Sequence, residues 1–599
     1  MATQPPDNLL RARRALDDLP FYELVSDWVW NAIVKKWVLE CQLKVETRGL
    51  IQSETNWFIL VDEDYPWGSI ELHPSKVGGL AQTFPHQAHN AVGKAELPWR
   101  EGNICAQTSM RTSGRLAYDL EPYSVEDRLL WRMMRAKEWL EAASAGRVAE
   151  QGEPFELPDF PKSSSDRLGF VEDKESFQAW QKRSHSYGYA TLVHINDDEK
   201  WKAVSSYSDD HWKELHSIQY GELLSSRSVR HSSAIWMRLA AVPVLPPWQA
   251  PATFGELRSV LNEQGVDFNS VILRLAPKIR DGKTHLLLLG FPIPSVIGGE
   301  TCLYHWQGLT MPKLSFGERK GFRPRKANFD RYDIHTALSD NVAIEWINSR
   351  NWAEEQIRTR GRLSPQLAEA KILLIGGGAV GSSLAEMLVR EGCKNLRIFD
   401  GDKLEIGNLC RHTLSLRSIG KPKADLLASS LNDISPHANV QSLQGFFHGQ
   451  ADFEQQPLGE CEIIIDCTGD DEVAYRLGAF PWSGRKLFVS ASLGFKAQRL
   501  FLFFAQGNCF PHADFVSAIT PWIQKELKEN EGLMLPREGI GCWNPIFPAR
   551  SSDIWMMSAI AVKCIEAWAV NPPPSPCLNV YEREQEALSF MAVRLAEES

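Results

Sequence analysis

The sequence predicts a multidomain protein of mixed α/β and α+β class: an α+β module first, a mixed middle domain next, and a doubly wound α/β domain last. Three observations lead there. A chain of 599 residues exceeds what one hydrophobic core can span, since single cores stop growing at roughly 250–300 residues. The segment AKILLIGGGAVGSSLAEMLVREGCKNLRIFD, from residue 370, reads as strand, glycine turn, helix and strand; such a βαβ unit belongs to a parallel sheet covered on both faces. The polar, proline-containing stretch GEPFELPDFPKSSSD at 152–166 reads as a linker.

The first module, 1–160, opens with an amphipathic stretch at 9–37, followed by strand-like runs at 37–45 and 57–61. It closes in a helix at 124–145, with Ser124 as N-cap, Glu126 and Asp127 in the first turn, and Leu129, Leu130, Met133 and Trp139 at core spacing. The middle domain, 167–350, carries strand signals at 190–194, 270–275 and 285–289 and a basic, loop-like run at 318–331, but no catalytic constellation. A scaffold or docking role is expected of it. The last domain, 351–599, opens with a charged helix and then enters the βαβ unit: strand 372–375, helix 382–391, strand 396–399.

Composition narrows the function. With 43% hydrophobic and 23% charged residues the whole chain is of globular type, and a formal charge of −10 gives no global attraction to nucleic acid or an anionic membrane. No signal peptide is evident. The run 554–570 is interrupted by Lys563 and Glu566, so it is expected as a packed core helix of a cytoplasmic protein. Eleven cysteines include no CxxC pair, which gives a structural zinc site no support. Most are expected to be buried apolar residues of a reducing compartment.

Gly376, Gly378 and Gly381 satisfy GxGxxG between a strand and a helix, so backbone amides and the helix dipole face a phosphate. The glycines and the strand-end Asp400 alone fit an NAD- or FAD-binding fold equally well. The polar series that follows separates the two. Asp400 is placed for ribose hydroxyls, and Asn408, Arg411 and Lys423 come within one short stretch. A dinucleotide has little use for that cation pair. ATP split between its α- and β-phosphates does, because Arg and Lys beside Mg²⁺ stabilise the departing pyrophosphate.

The segment 371–470 resembles the ThiF/MoeB/ubiquitin-activating adenylation family, a Rossmann-like domain whose pattern after the glycine turn is D-x-D, N-L-x-R-Q and G-x-P-K. Here these are Asp400-Gly-Asp402, Asn408-Leu-Cys-Arg411-His412 and Gly420-Lys-Pro-Lys423. The resemblance implies that Asp400 binds ribose, Asn408 and Arg411 contact phosphates, with Arg411 catalytic, and Lys423 holds the triphosphate. The family's Mg²⁺-binding Asp is assigned to Asp470 of Asp466-Cys-Thr-Gly-Asp470, with Asp466 in reserve. The family also supplies an Arg from before the first strand, often across a dimer; Arg358 and Arg360 are the candidates.

Ubiquitin-activating relatives move the acyl group to a cysteine. Cys542, in REGIGCWNPIFPARSSD, is flanked by glycines and prolines with Arg537 and Arg550 near in sequence, which favours an exposed thiolate; Cys509 is the alternative. The order 65–72, 83–90 and 102–105 as strands before closing helices resembles the ubiquitin-conjugating fold, whose catalytic cysteine follows G-x-I-C. That implies Cys105 of Gly102-Asn-Ile-Cys105. The fold's His-Pro-Asn tripeptide is missing; Pro85-His86 and His89-Asn90 are the nearest substitutes, with Asn90 the oxyanion candidate.

The whole chain resembles the fused activating and conjugating enzymes of bacterial CBASS antiphage operons. The implied activity is ATP- and Mg²⁺-dependent activation of a protein C-terminus, that of a cGAS-like nucleotidyltransferase, and its ligation to an amine by a homodimer of adenylation domains. A sulfur-carrier-protein adenylyltransferase, an NAD(P)-dependent oxidoreductase and a non-catalytic nucleotide-binding scaffold are the alternative readings.

Overall fold

The computed structural model describes all residues except 1–3, 48, 50, 106–120, 150, 196–199, 318–324, 448–457, 533, 535–536, 539–543, 546–547, 587–588 and 599. The chain divides into two compact units, Met1–Ser217 with His231–Asn351, and Ile218–Arg230 with Trp352–Ser599.

The first unit starts with helix α1 (Asp7–Arg14) and an antiparallel sheet in sequential order, β1 (Tyr22–Asn31), β2 (Lys36–Lys44), β3 (Glu54–Val61) and β4 (Ile70–Pro74). Alternation along β2 and β3 sends Leu39, Cys41, Leu43, Trp57, Ile59 and Val61 to one face. There they pack on Leu129, Met133, Ala136 and Leu140 of α2 (Val125–Ser144). Ser124 caps α2 as expected, its side chain accepting from the Asp127 N–H. The opposite face, with Val38, Phe58 and Leu60, is covered by Leu97 and Trp99. The strands expected at 83–90 and 102–105 do not form; the two segments meet at the isolated bridge Gln87↔Ile104. Pro85 has no N–H to offer a ladder, and His86 leaves the extended region with φ 56.

The remainder of this unit holds β5 (Lys162–Phe170), α3 (Lys174–Gln181), β6 (Tyr187–His194), β7 (Trp201–Ser208) and β8 (Glu214–Ser217). After α4 (Glu222–Ser225), which belongs to the second unit, come β9 (His231–Arg238), α5 (Phe254–Glu263), α6 (Phe268–Leu275), β10 (His285–Pro294), β11 (Thr301–Met311), α7 (Lys326–Tyr332) and β12 (Glu345–Asn351). The sheet order is β5-β12-β11-β10-β9-β6-β7-β8. The segment 270–275, expected as a strand, is helix α6. Its Phe268, Val271, Ile272 and Leu275 are buried at i, i+3, i+4 and i+7, and Asp267 caps it; β9 and β10 are parallel, a pairing that needs such a crossover. Within the basic run 318–331, 318–324 lie outside the described residues and 326–331 belong to α7. The stretch 152–166 is no free linker. Gly152 and Phe155 donate to Ile297 and Ser295 carbonyls, Phe160 packs on Trp346 at 4.7 Å, and the end of the stretch enters β5.

In the second unit the charged opening helix is a single turn, α8 (Glu354–Ile357), followed by α9 (Pro365–Ala368), β13 (Lys371–Ile375), α10 (Ala379–Glu391), β14 (Asn395–Asp400), α11 (Lys423–Asn432), β15 (Asn439–Gln444), β16 (Ile463–Asp466), α12 (Asp471–Ala479), β17 (Lys486–Leu493), β18 (Arg499–Gly507), α13 (His512–Glu529), β19 (Arg537–Glu538), β20 (Asn544–Pro545), α14 (Ser551–Val570), β21 (Cys577–Glu586) and β22 (Ser589–Glu598). The large sheet runs β15-β14-β13-β16-β17-β18-β21-β22, its first five strands parallel and the last three joined antiparallel. Helices α10, α11 and α14 cover one face, α12 and α13 the other. The chain moves outward in opposite directions from β13 and β16, so a crevice opens at their carboxyl ends. No helix among the described residues is long and apolar enough to cross a membrane.

Candidate active site

Strand β13 ends in Ile375 and the backbone turns at Gly376, whose φ of 88 suits glycine alone. Gly381, one turn into α10, lies so close beneath that a Cβ there would stand 1.9 Å from the Gly376 carbonyl oxygen. A Cβ at Gly378 would meet nothing within 4 Å: Gly378 is the N-cap of α10 and faces open space. The third requirement of the motif, room for a ligand to approach the backbone closely, is therefore available there.

Two neighbouring residues brace this turn. Asp400, at the end of β14, accepts from the Gly377 N–H at 2.7 Å and from the Asp402 N–H at 2.8 Å, and burial raises its pKa. His412 donates from Nε2 to the Gly377 carbonyl at 2.7 Å and accepts at Nδ1 from the Leu414 N–H at 3.1 Å. Burial lowers its pKa, so the ring is neutral and its tautomer is set by these two bonds. The sequence contained His412 inside a recognised motif but gave it no role.

Two adjoining cavities occupy the crevice. One of about 300 Å³ is lined by Gly376, Asp400, Lys423, Phe446, Asp470 and Arg476. The other, about 600 Å³, is lined by polar Arg411, Asp466, Asp470 and Ser490 and by apolar Phe515, Ile519, Ile523, Leu527 and Ile554. Gly378, Thr468 and Asp470 line both. Lys423, 8% exposed, pairs with Asp402 at 3.1 Å. Arg411 donates to the Gly407 carbonyl at 3.4 Å. Asn408 lines neither cavity; its side-chain oxygen accepts from the Glu405 N–H at 3.0 Å and closes the turn Ile406–Asn408.

Among the described residues no group of three or more His, Cys, Asp and Glu side chains is arranged for a metal. Asp466 and Asp470 fit a cation that takes most of its ligands from phosphates and water, as Mg²⁺ does with one or two carboxylates. Asp470 uses one oxygen to cap α12 at the Glu472 N–H, 2.8 Å away. Asp466 is 2% exposed, accepts from the N–H and hydroxyl of Thr468 at 3.0 and 2.6 Å, and has its pKa pushed up to about 6 by burial.

The two arginine candidates lie elsewhere. Arg358 reaches the Arg390 carbonyl and Glu354, and the Ser435 hydroxyl at 3.0 Å; it closes the C-terminal end of α10, opposite the glycine turn. Arg360 is exposed in the same loop.

Of the cysteine candidates, Cys509 follows β18, whose Gly507 pairs with Lys486 at the start of β17. The cavity touches the other end of β17, at Ser490 to Leu493, about 13–23 Å away at 3.3 Å per residue. Cys509 is thus at the wrong end of the sheet. From there α13 runs back about 27 Å and delivers Leu527 to the cavity, and Ile554 of α14 returns to it. Cys542 lies outside the described residues, in the connection between those two cavity-lining residues. Cys564 is half-buried against the core and bonds the Tyr581 hydroxyl at 3.1 Å.

In the first unit Cys105 is exposed, its N–H donating to the His86 carbonyl at 2.8 Å. Asn90 is no oxyanion donor. It is 1% exposed, and its amide nitrogen donates to the Leu80 and Gln82 carbonyls at 2.8 and 2.9 Å.

The ThiF family model matches residues 349–528, and the model of the Cap2 central linker domain matches 146–352. The chain is 32% identical over 571 residues, 94% of each, to the ATP-dependent ubiquitin transferase-like protein Cap2 of Enterobacter hormaechei subsp. hoffmannii (strain UCI 50). It is 35% identical over 140 residues to a protein of the same name from Escherichia coli (strain TW11681), covering 23% of this chain and 22% of that one. To the molybdopterin-synthase adenylyltransferase of Escherichia coli (strain K12) it is 28% identical over 128 residues, 21% of this chain and 50% of that one.

Proposed function

Since the chain belongs to the family of ATP-dependent ubiquitin transferase-like Cap2 proteins, with a ThiF family domain at 349–528, we propose that it adenylates the C-terminal carboxylate of a protein and passes the acyl group through two cysteines to an amine. The finer architecture is part of this reading: a Rossmann-like adenylation domain at 351–599, a linker domain at 167–350 and a ubiquitin-conjugating-like domain at 1–160.

One observation carries it. The larger cavity is lined both by polar Arg411, Asp466 and Asp470 and by apolar Leu527 and Ile554, which come from the two helices that flank the Cys542 segment in the chain. ATP enters with its ribose at Asp400, its phosphates over Gly378, and Lys423 and Arg411 on the triphosphate. Mg²⁺ at Asp470, with Asp466 behind it, would neutralise phosphate charge. The carboxylate oxygen attacks the α-phosphorus and pyrophosphate leaves. The Cys542 thiolate then attacks the acyl carbon and AMP leaves, the Cys105 thiolate displaces Cys542, and an amine displaces Cys105. Before ATP arrives, Asp402 holds Lys423; the phosphates replace it. By the same family resemblance the activated protein is a cGAS-like nucleotidyltransferase of an antiphage operon and the enzyme a homodimer in the cytoplasm.

ATP–pyrophosphate exchange with such a carboxylate partner tests the first step. Exchange is expected in the wild type and, in Arg411→Ala and Lys423→Ala, a fall of about 100-fold each, the scale of one lost transition-state donor. Binding of NAD with no exchange would contradict the proposal.

A further inference from the structure

Attack on a thioester carbonyl puts negative charge on its oxygen, and a donor aimed at that oxygen is a major aid to such a step. The carboxamides of the loop facing Cys105 are engaged elsewhere: Asn90 as described, and Gln87 by donating to the Gly102 carbonyl and accepting from the Phe84 N–H, both at 3.0 Å. His86 differs. It is the cross-strand neighbour of Cys105 beside the bridge Gln87↔Ile104, a pairing that sets Cα atoms about 5.5 Å apart. Its φ of 56 is a conformation that a residue with a side chain keeps only where its surroundings enforce it. Nδ1 pairs with Glu156 at 2.6 Å, and Glu156, joined by Glu153, raises the pKa of the ring. Glu156 on Nδ1 fixes the ring, and in the protonated imidazolium, the form that this carboxylate favours, both ring nitrogens donate, so Nε2–H is the donor on its other edge.

We infer that the His86 imidazolium, oriented by Glu156, donates the hydrogen bond that stabilises the oxyanion when an amine attacks the acyl group on Cys105. The inference rests on Cys105 carrying a thioester. In that step the C–N bond forms, the C–S bond breaks to release the Cys105 thiolate, and the amine's proton goes to solvent; His86 keeps its own proton. Transfer onto Cys105 passes through an oxyanion too, so loading is driven to completion with excess thioester and only its extent is compared.

The test loads full-length Cys542→Ala protein at Cys105 with a fluorescent peptide thioester, bypassing adenylation, and follows discharge to free lysine. His86→Gln is expected to reach an extent of loading within about twofold of its parent's and to discharge about 100-fold more slowly. Glu156→Gln is expected to discharge about tenfold more slowly than its parent at pH 8 and to match it at pH 6, where the imidazole is protonated without its partner. Discharge of His86→Gln at the parent rate, or a loss in Glu156→Gln equal at both pH values, overturns the role of His86. A parent protein that takes no acyl group on Cys105 overturns the reading of that cysteine, and this inference with it.

Discussion

Asp466 shows how a site can work against its own fold. Burial pushes its pKa up to about 6 from 3.8, so the folded state binds the proton more tightly than the unfolded chain. Stability is then lost as pH rises from about 4 to about 6, and the penalty is complete above that. Asp466→Asn should therefore melt like the wild type near pH 4 and be more stable by about 3 kcal/mol at pH 7.5, while losing pyrophosphate exchange. Equal melting differences at both pH values would contradict this. Arg358 teaches the opposite lesson. The resemblance offered an arginine ahead of the first strand, often acting across a dimer; within its own chain Arg358 is held by the Arg390 carbonyl, Glu354 and Ser435. Arg358→Ala is expected to cost about 2 kcal/mol of stability, measured by urea unfolding, with exchange per folded molecule unchanged. A residue type in a motif announces itself; the partners that occupy it, as with Asn90, come from chain segments distant in sequence.

At the scale of elements, the strand, turn and helix around the glycines were readable because each glycine answers a distinct local demand. Gly381→Ala must push the turn open against the Gly376 carbonyl and is expected to abolish ATP binding and lower the melting temperature. Gly378→Ala meets no atom and should melt as the wild type does, yet bind ATP at least tenfold more weakly. Calorimetric titration with ATP separates the two, and full affinity in Gly378→Ala would refute a phosphate over that residue. Segment 270–275 was misread because an apolar run this short has no decisive period. Extending it to Phe268 shows the helical spacing, and the parallel pairing of β9 with β10 that demands a helix is a tertiary fact. At 83–90, the strand was expected from order alone, and Pro85 was the local signal against it; the left-handed His86 shows where the chain leaves the extended form.

Across the whole molecule, residue spacing cannot say which end of a sheet a loop occupies. In the sequence Cys542 was the candidate, and Cys509 its alternative. The antiparallel return of β18 puts the first at the far end, while α13 and α14 deliver the flanks of the second to the cavity. The stretch 152–166 looked like a spacer because of its prolines and serines, yet it contributes Glu156 to His86 and Asp159 to the His89 N–H at 2.9 Å. The candidate nucleotide site could be proposed from the sequence because its residues fall within 376–470; the proposal that two distant cysteines act in turn came only from family resemblance. The direct test is mass spectrometry of the protein incubated with ATP, Mg²⁺ and a carboxylate partner, comparing wild type with Cys509→Ala, Cys542→Ala and Cys105→Ala. The relay predicts acyl groups on both cysteines in wild type and Cys509→Ala, on Cys542 alone in Cys105→Ala, and on neither in Cys542→Ala; an acyl group on Cys105 in Cys542→Ala, or conjugation unchanged in Cys105→Ala, would contradict it.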